Sequence, residues 1–197
     1  MSDPTTPARI LVFAGSTREA SFNKRLARLA ARRLDTLGAK ATFIDLRDYP
    51  LPIYEGDLEA EHGLPENTLA LRKLLAEHRG LLIASPEYNG FITPLIKNTI
   101  DWISRPHEGE SGLKLFEGRV AALLSASPGA LGGIRSLALM RQLLSNIGVT
   151  VLPNQLAVAK AGDAFDNHGT LTDKTHQLKL DAICQRLIET TRLFDRE

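Results

Sequence analysis

A short segment near the amino terminus concentrates side chains that donate hydrogen bonds. Its hydroxyl, guanidinium and amide groups belong to Ser16, Thr17, Arg18, Ser21 and Asn23. An apolar run precedes the segment and a helical pattern follows it, so the free N–H groups of a helix start add further donors. Such a set suits a phosphate monoester, although neither a Walker loop nor a G-x-G-x-x-G dinucleotide loop is present. A well-capped helix beside a solvated arginine is the alternative for this segment alone.

Two later segments could border a planar ligand. Pro86–Gly90 follows an apolar run directly, and its proline, aromatic ring and glycine can place backbone amides and a flat surface beside a ligand. Ser127–Gly133 follows another apolar run, and its glycines allow the backbone to approach a ring closely. The alternatives are a turn in which Tyr88 covers the edge of the core, and a flexible glycine loop.

Apolar runs alternate with helical patterns along the chain. The runs predict five strands, at Ile10–Ala14, Ala41–Asp45, Leu81–Ala84, Val120–Leu124 and Thr150–Leu152. The helical patterns predict a helix from Ser21 to Gly38, one over Asn67–His78, one from Thr93-Pro94 through Trp102, one over Ile134–Ile147 and a last one around Leu180–Ile188. The stretches Asp48–Glu59 and Ser104–Gly118 are predicted to be loops, the second of them mobile and near the site.

Strand–helix alternation indicates an α/β fold with a parallel sheet between two helical layers. The first, third and fourth runs are continuously apolar, as in strands covered on both faces, whereas the second and fifth are more polar and suit edges. This favours a flavodoxin-like three-layer sandwich with a five-stranded sheet in the order 2-1-3-4-5. Ligands of such sheets bind beyond the carboxyl ends of the strands, where the three distinctive segments lie.

Composition narrows the class of protein. The 197 residues suit one domain, which we place at 9–197, after a disordered tail at 1–8. The net charge of +1 indicates no nucleic-acid partner, and no apolar run approaches the ~20 residues of a membrane helix. Cys184 is the single cysteine, so an internal disulfide is excluded. We expect a cytoplasmic protein that does not bind membranes.

The histidines, the cysteine and two tyrosines show no sequence pattern typical of a catalytic or metal site. None of the histidines has a metal-ligand spacing, and we expect them to be solvated: His62, His78, His107, His168 and His176. Cys184 falls on the inner stripe of the last helix, which indicates a buried thiol. Tyr49 and Tyr54 could border a substrate pocket, with surface tyrosines as the favoured alternative. We therefore predict no catalytic side chain and no metal site.

These segments together resemble the NAD(P)H-dependent FMN reductases, which include quinone, chromate and azo-dye reductases. The similarity extends from Ile10 to about Leu152. It rests on Gly15-Ser16 with Arg18, Ser21 and Asn23, on Pro86–Gly90 through Pro94–Asn98 to Asp101-Trp102, and on Ser127-Pro128-Gly129 with Gly132-Gly133. Many members carry Ile-Pro-Gly where this chain has Ile92-Thr93-Pro94.

The resemblance implies a set of cofactor-binding residues. Those implied for the FMN phosphate are Ser16, Arg18, Ser21 and Asn23. Those implied for the ribityl chain and the isoalloxazine are Pro86, Glu87, Tyr88 and Asn89, with Gly90 in the same loop. Ser127 and Gly129 are implied to flank the polar edge of the ring.

The resemblance also implies an activity. It is hydride transfer from NADPH or NADH through bound FMN to a small acceptor such as a quinone, chromate, an azo compound or free flavin. The alternative is a flavodoxin, a non-enzymatic electron carrier, which is typically acidic; the net charge of +1 speaks against it. The resemblance also implies a homodimer or homotetramer, and the apolar residues on more than one face of the predicted helix Pro94–Ser104 favour an oligomer as well.

Overall fold

A five-stranded parallel sheet lies between two helical layers in the computed structural model, which describes residues 6–194. The strand order is β2-β1-β3-β4-β5, as predicted. The strands are β1 (Arg9–Ala14), β2 (Lys40–Ile44), β3 (Gly80–Ala84), β4 (Val120–Ala126) and β5 (Thr150–Val158). The helices are α1 (Phe22–Thr36), α2 (Gly56–His62), α3 (Glu66–Ala76), α4 (Pro94–Ile103), α5 (Ile134–Asn146) and α6 (Lys174–Phe194), with short 3₁₀ turns at Leu46–Asp48 and Gly112–Leu115.

Alternate side chains of each central strand enter two separate hydrophobic cores. Every residue of β3 and β4 is buried, as expected for strands covered on both faces. One core joins the sheet to α1 and α6, and the other joins it to α3, α4 and α5. The register aligns Ala14 with Ala84 and Ala84 with Leu124, so β1, β3 and β4 end at nearly the same level. The three segments that follow these strands are thereby brought together.

The predicted helix caps are confirmed. The Ser21 hydroxyl accepts a hydrogen bond from the backbone N–H of Lys24 at 3.4 Å, and Gly38 follows α1 with a φ of 84°. At α4, the Thr93 hydroxyl accepts from the Ile96 N–H, and proline occupies the first turn.

Two elements differ from the sequence prediction. The segment Asp48–Glu59 was predicted as a loop, but α2 begins within it, because the Glu55 carboxylate accepts from the N–H groups of Asp57 and Leu58 and so caps the helix. Strand β5 continues well past Leu152, through a register irregularity opposite β4. A proline is tolerated inside it because β5 is an edge strand.

Helix α4 buries its apolar residues within the chain. Trp102 is fully buried; its indole N–H donates to the Pro52 carbonyl at 2.8 Å, and the Tyr54 ring packs edge-on against it, with centroids 5.0 Å apart. Ile96 and Ile100 enter the core between α4 and the sheet. The surplus surface that predicted a partner subunit on this helix is therefore covered by the preceding segment of the same chain. The oligomeric state stays a prediction.

Sequence predictions for Cys184, the histidines and the amino-terminal tail can also be compared with the structure. Cys184 is buried as predicted, and burial raises the pKa of its thiol to about 12. The expectation of a solvated imidazole is wrong for His78, which is buried and hydrogen-bonded to the Leu74 carbonyl and the Thr42 hydroxyl. Most of the predicted tail at 1–8 lies outside the described residues, although Ala8 is buried in the core. Among residues 6–194 no helix is long and apolar enough to cross a membrane.

Candidate functional site

The three segments that follow β1, β3 and β4 enclose a pocket of about 300 Å³. The residues that line it are Ser16, Arg18, Ser21, Phe22, Asn23, Pro86, Glu87, Tyr88, Ala126, Ser127 and Pro128. Most of the residues predicted from the sequence are thus brought together, while Asn89, Gly90 and Gly129 lie on the same segments just beyond the lining. Phe22, Ala126 and Pro128 were not predicted, because an apolar side chain beside a polar motif carries no signal of its own.

One end of the pocket is formed by the start of α1. Ser16 and Ser21 are largely buried there, and the Ser16 hydroxyl accepts from the Arg18 backbone N–H at 3.3 Å. The first turn of α1 contains no acidic side chain. Free helical N–H groups and unopposed hydroxyl donors make this end suitable for an anion.

The Arg18 side chain lies at the mouth of this end. It is exposed, its guanidinium donates to the Ala20 carbonyl at 2.9 Å, and it lies 5.5 Å from the centroid of the Phe22 ring. A guanidinium held this way keeps other N–H groups available, because it carries five donors. Arg18 can therefore add a charged hydrogen bond to an anion in the pocket.

Asn23 braces two walls of the pocket. Its amide nitrogen donates to the Ala126 carbonyl at 2.8 Å, and its amide oxygen accepts from the Ala126 N–H at 2.9 Å. These two bonds fasten the first turn of α1 to the end of β4. The amide nitrogen carries a second hydrogen, so a direct contact with a ligand remains compatible with the brace. The structure makes positioning the more prominent role of this residue.

A tight hairpin presents an aromatic ring on the opposite wall. Tyr88 and Phe91 exchange both backbone hydrogen bonds, at 3.0 and 2.9 Å. Asn89 and Gly90 form the turn between them with φ angles of 51° and 82°, a conformation that favours an Asn-Gly pair. Tyr88 is 51% exposed and Phe91 62% exposed, so the hairpin offers unburied aromatic surface at the rim.

Glu87 holds this hairpin to α5. Its carboxylate accepts from the backbone N–H groups of Arg135 and Ser136, at 3.1 and 3.3 Å, and pairs with the Arg135 guanidinium. Helix α5 begins after Gly133, which has no side chain to cap it, so Glu87 supplies the cap from another segment. Burial raises the pKa of Glu87, but the hydrogen bonds from Arg135 and Ser136 outweigh burial and leave the pKa lowered. The Glu87 side chain is thus ionised, and it connects the hairpin to the start of α5.

The segment after β4 is fixed rather than loose. The Ser127 N–H donates to the Val158 carbonyl at 3.0 Å, and the Ser127 carbonyl accepts from the Ala161 N–H at 3.0 Å. Its hydroxyl accepts from the Gly129 N–H at 3.2 Å. Gly133 adopts a φ of 87°, and a side chain there would collide with the Ser125 hydroxyl. The backbone of this segment is therefore held in one arrangement beside the pocket.

The geometry fits a phosphorylated, planar ligand. Residues 8–163 match the protein family described as NADPH-dependent FMN reductase. The chain belongs to this family. The predictions of an oxidoreductase, and of FMN and NAD(P)H as the cofactors of its family, agree with the match.

The similarity of this FMN reductase family member to individual relatives covers nearly its whole chain. It is 32% identical to a quinone reductase of Pseudomonas putida over 187 residues, which are 93% of this chain and 95% of the relative. It is 32% identical over 190 residues to the NAD(P)H-dependent FMN reductase PA1204 of Pseudomonas aeruginosa, with 95% of both chains covered. The solved structure of FerB, a flavoenzyme NAD(P)H:(acceptor) oxidoreductase from Paracoccus denitrificans, has a TM-score of 0.81 at 26% identity and covers 95% of this chain and 98% of FerB.

Proposed function

We propose that this chain binds FMN in the pocket and passes a hydride from NADPH or NADH through it to a small organic acceptor. The observation that carries the proposal is the polarity of the pocket: an anion-binding helix start at one end and an exposed aromatic hairpin at the other. Relatives named quinone reductase and NAD(P)H-dependent FMN reductase support the same assignment.

In this proposal the anion-binding end holds the FMN phosphate. Ser16 and Ser21 contribute hydroxyl groups, Arg18 contributes its guanidinium, and the start of α1 contributes backbone N–H groups. Asn23 keeps the helix start in register with β4 through its two bonds to Ala126. An ionised carboxylate near the phosphate would oppose binding, and Glu87 avoids this because its oxygens face the start of α5.

The hairpin and the segment after β4 hold the flavin ring. Bound FMN supplies the redox chemistry, accepting a hydride from the nicotinamide and passing electrons to the acceptor. The chain positions the ring between the Tyr88 loop and Ser127, with Gly129 at its polar edge. No acidic or basic side chain is required in these roles.

The rim of the pocket favours an aromatic, largely apolar acceptor. Leu131 lies shortly before α5 and Ile134 is its first residue; they are 54% and 46% exposed, beside the Tyr88 hairpin to which Glu87 ties that helix. Flat apolar acceptors gain from contact with such surface, whereas a small oxyanion gains little. We therefore place quinones ahead of chromate among the acceptors. A homo-oligomer would also cover this exposed rim.

Steady-state turnover tests the proposal. We expect the purified protein to oxidise NADPH or NADH continuously in the presence of a benzoquinone, with a rate that saturates as FMN is added. Protein stripped of flavin is the matched control and should be inactive until FMN is restored. FMN binding without steady NAD(P)H consumption would support the flavodoxin-type carrier, and absence of FMN binding would contradict both.

A further inference from the structure

A lysine is buried beneath the segment that we assign to the FMN phosphate. Lys24, in the first turn of α1, is only 2% exposed. Its ammonium group donates to the Thr17 carbonyl at 3.0 Å and pairs with the Asp45 carboxylate at 2.7 Å. Neither Lys24 nor Asp45 lines the pocket.

This placement carries a cost in stability. A buried charge loses its hydration, and a cation in the first turn of a helix is opposed by the helix dipole. Apolar residues at the same positions would commonly be as stable. A cation that lies against a binding segment at such a cost suggests a role in that segment.

Asp45, the second partner of the Lys24 ammonium group, is itself held in place. One oxygen of its carboxylate accepts from the Arg47 backbone N–H at 3.0 Å, and the other pairs with Lys24. Burial raises the pKa of Asp45, but the hydrogen bonds from Lys24 and the Arg47 N–H leave it lowered, so the carboxylate is ionised at neutral pH. A continuous series of contacts therefore runs from the end of β2 through Asp45 and Lys24 to Thr17, with the ion pair at its centre.

The peptide group between Thr17 and Arg18 links this series of contacts to the pocket. In a trans peptide the carbonyl and the following N–H point in opposite directions. Lys24 holds the Thr17 carbonyl, and the Arg18 N–H accordingly points the other way, to the Ser16 hydroxyl that lines the pocket. A freely rotating peptide could instead turn its carbonyl oxygen towards a bound phosphate and repel it.

We infer that Lys24 is a positioning residue for phosphate recognition, which holds the Thr17 carbonyl away from the pocket and so keeps the Arg18 N–H on the Ser16 hydroxyl that lines it. The inference rests on the proposed FMN site. Asp45 belongs to the same device because it holds the ammonium group in place. The effect should be confined to ligands that carry the phosphate.

Paired titrations with FMN and riboflavin test the role, because riboflavin lacks the phosphate. Lys24→Met keeps most of the length of the side chain and removes its donor; we expect at least about a tenfold weaker affinity for FMN and less than about a threefold change for riboflavin. The double variant Lys24→Met with Asp45→Asn leaves no buried charge without a partner, and we expect the same selective loss. It keeps the test decisive if the single variant fails to fold.

Two further variants separate positioning from general electrostatics. Asp45→Asn removes a negative charge near the site, so Coulomb attraction alone predicts tighter FMN binding, whereas a loosened Lys24 predicts weaker binding. Arg28→Met is the matched control: its guanidinium lies 4.0 Å from Asp45 and is half exposed, and we expect no change in the FMN-to-riboflavin ratio.

The outcomes are distinct. An unchanged ratio in both Lys24 variants, or an equal loss of FMN and riboflavin, overturns the inference and leaves the proposed function standing. Tighter FMN binding by Asp45→Asn also overturns it. If the unsubstituted protein binds neither flavin, the proposed function fails instead.

Discussion

Removal of the Glu87 carboxylate should both destabilise the protein and weaken flavin binding. The carboxylate accepts two backbone N–H groups at the start of α5 and pairs with Arg135. Its side chain is 7% exposed, whereas that of Arg135 is 61% exposed. The backbone bonds should therefore dominate, since exposed ion pairs contribute only about 0–1 kcal/mol while loss of a helix cap costs about 0.5–2 kcal/mol.

We expect Glu87→Ala to lower the free energy of unfolding by about 2 kcal/mol, because a charged acceptor of two N–H groups is lost. For a chain of this size that corresponds to a fall of about 4–8 °C in Tm. Arg135→Met is the control, which removes the ion pair and keeps the cap, and it should cost well under 1 kcal/mol, roughly the value of an exposed pair. Denaturation of the flavin-free protein, followed by circular dichroism, gives both values.

The same two substitutions should have different effects on the affinity for FMN. Without the cap, the Tyr88 hairpin loses its attachment to α5, so Glu87→Ala should weaken FMN and riboflavin together. Arg135→Met should leave both affinities nearly unchanged. If Arg135→Met were as damaging as Glu87→Ala, the ion pair would be the main contribution, and the assignment of Glu87 as a cap would be refuted.

Three other predictions concern separate parts of the molecule. Arg18→Ala should weaken FMN about tenfold, at the low end for a charged hydrogen bond because the guanidinium is exposed, and should spare riboflavin; equal losses in calorimetric titrations would contradict phosphate contact. Burial lowers the pKa of His78 below its ordinary 6.5, so its stabilising contribution is complete above that pH and is lost as the pH falls through the folded-state value. Urea denaturation at several pH values should show this loss, at most about 1.4 kcal/mol per pH unit, and a flatter profile for His78→Gln. Light scattering at micromolar concentration should give an oligomer that Phe91→Asp dissociates, because Phe91 is an exposed aromatic on the rim; a monomeric mass would remove the prediction.

Local patterns in the sequence were sufficient to predict the sheet and the position of the site. Continuous apolar runs mark β1, β3 and β4, and the parallel topology then brings the segments after them to one edge. Caps such as Ser21 and Thr93 were predictable because cap and helix are adjacent in the chain. Helix α2 was missed because it is short and begins at an unusual Glu55 cap.

The braces around the site could not be predicted in the same way. Asn23 bonds to Ala126, and Glu87 caps α5 at Arg135, across long separations in the chain. The resemblance implied that each side chain touches the cofactor, and neither residue type alone distinguishes that role from a bond within the protein. The burial of Trp102 beneath Pro52 likewise depends on how one segment folds over another, which periodicity along α4 does not encode.

Half-reactions of the FMN-loaded protein test the central claim most directly. Without an acceptor, one equivalent of NADPH or NADH should bleach the visible absorbance of the flavin, and a quinone added afterwards should restore it. One pocket that serves both substrates also predicts ping-pong kinetics, with parallel double-reciprocal lines. An absorbance that NADPH and NADH leave unchanged, in protein that has bound FMN, would contradict the account.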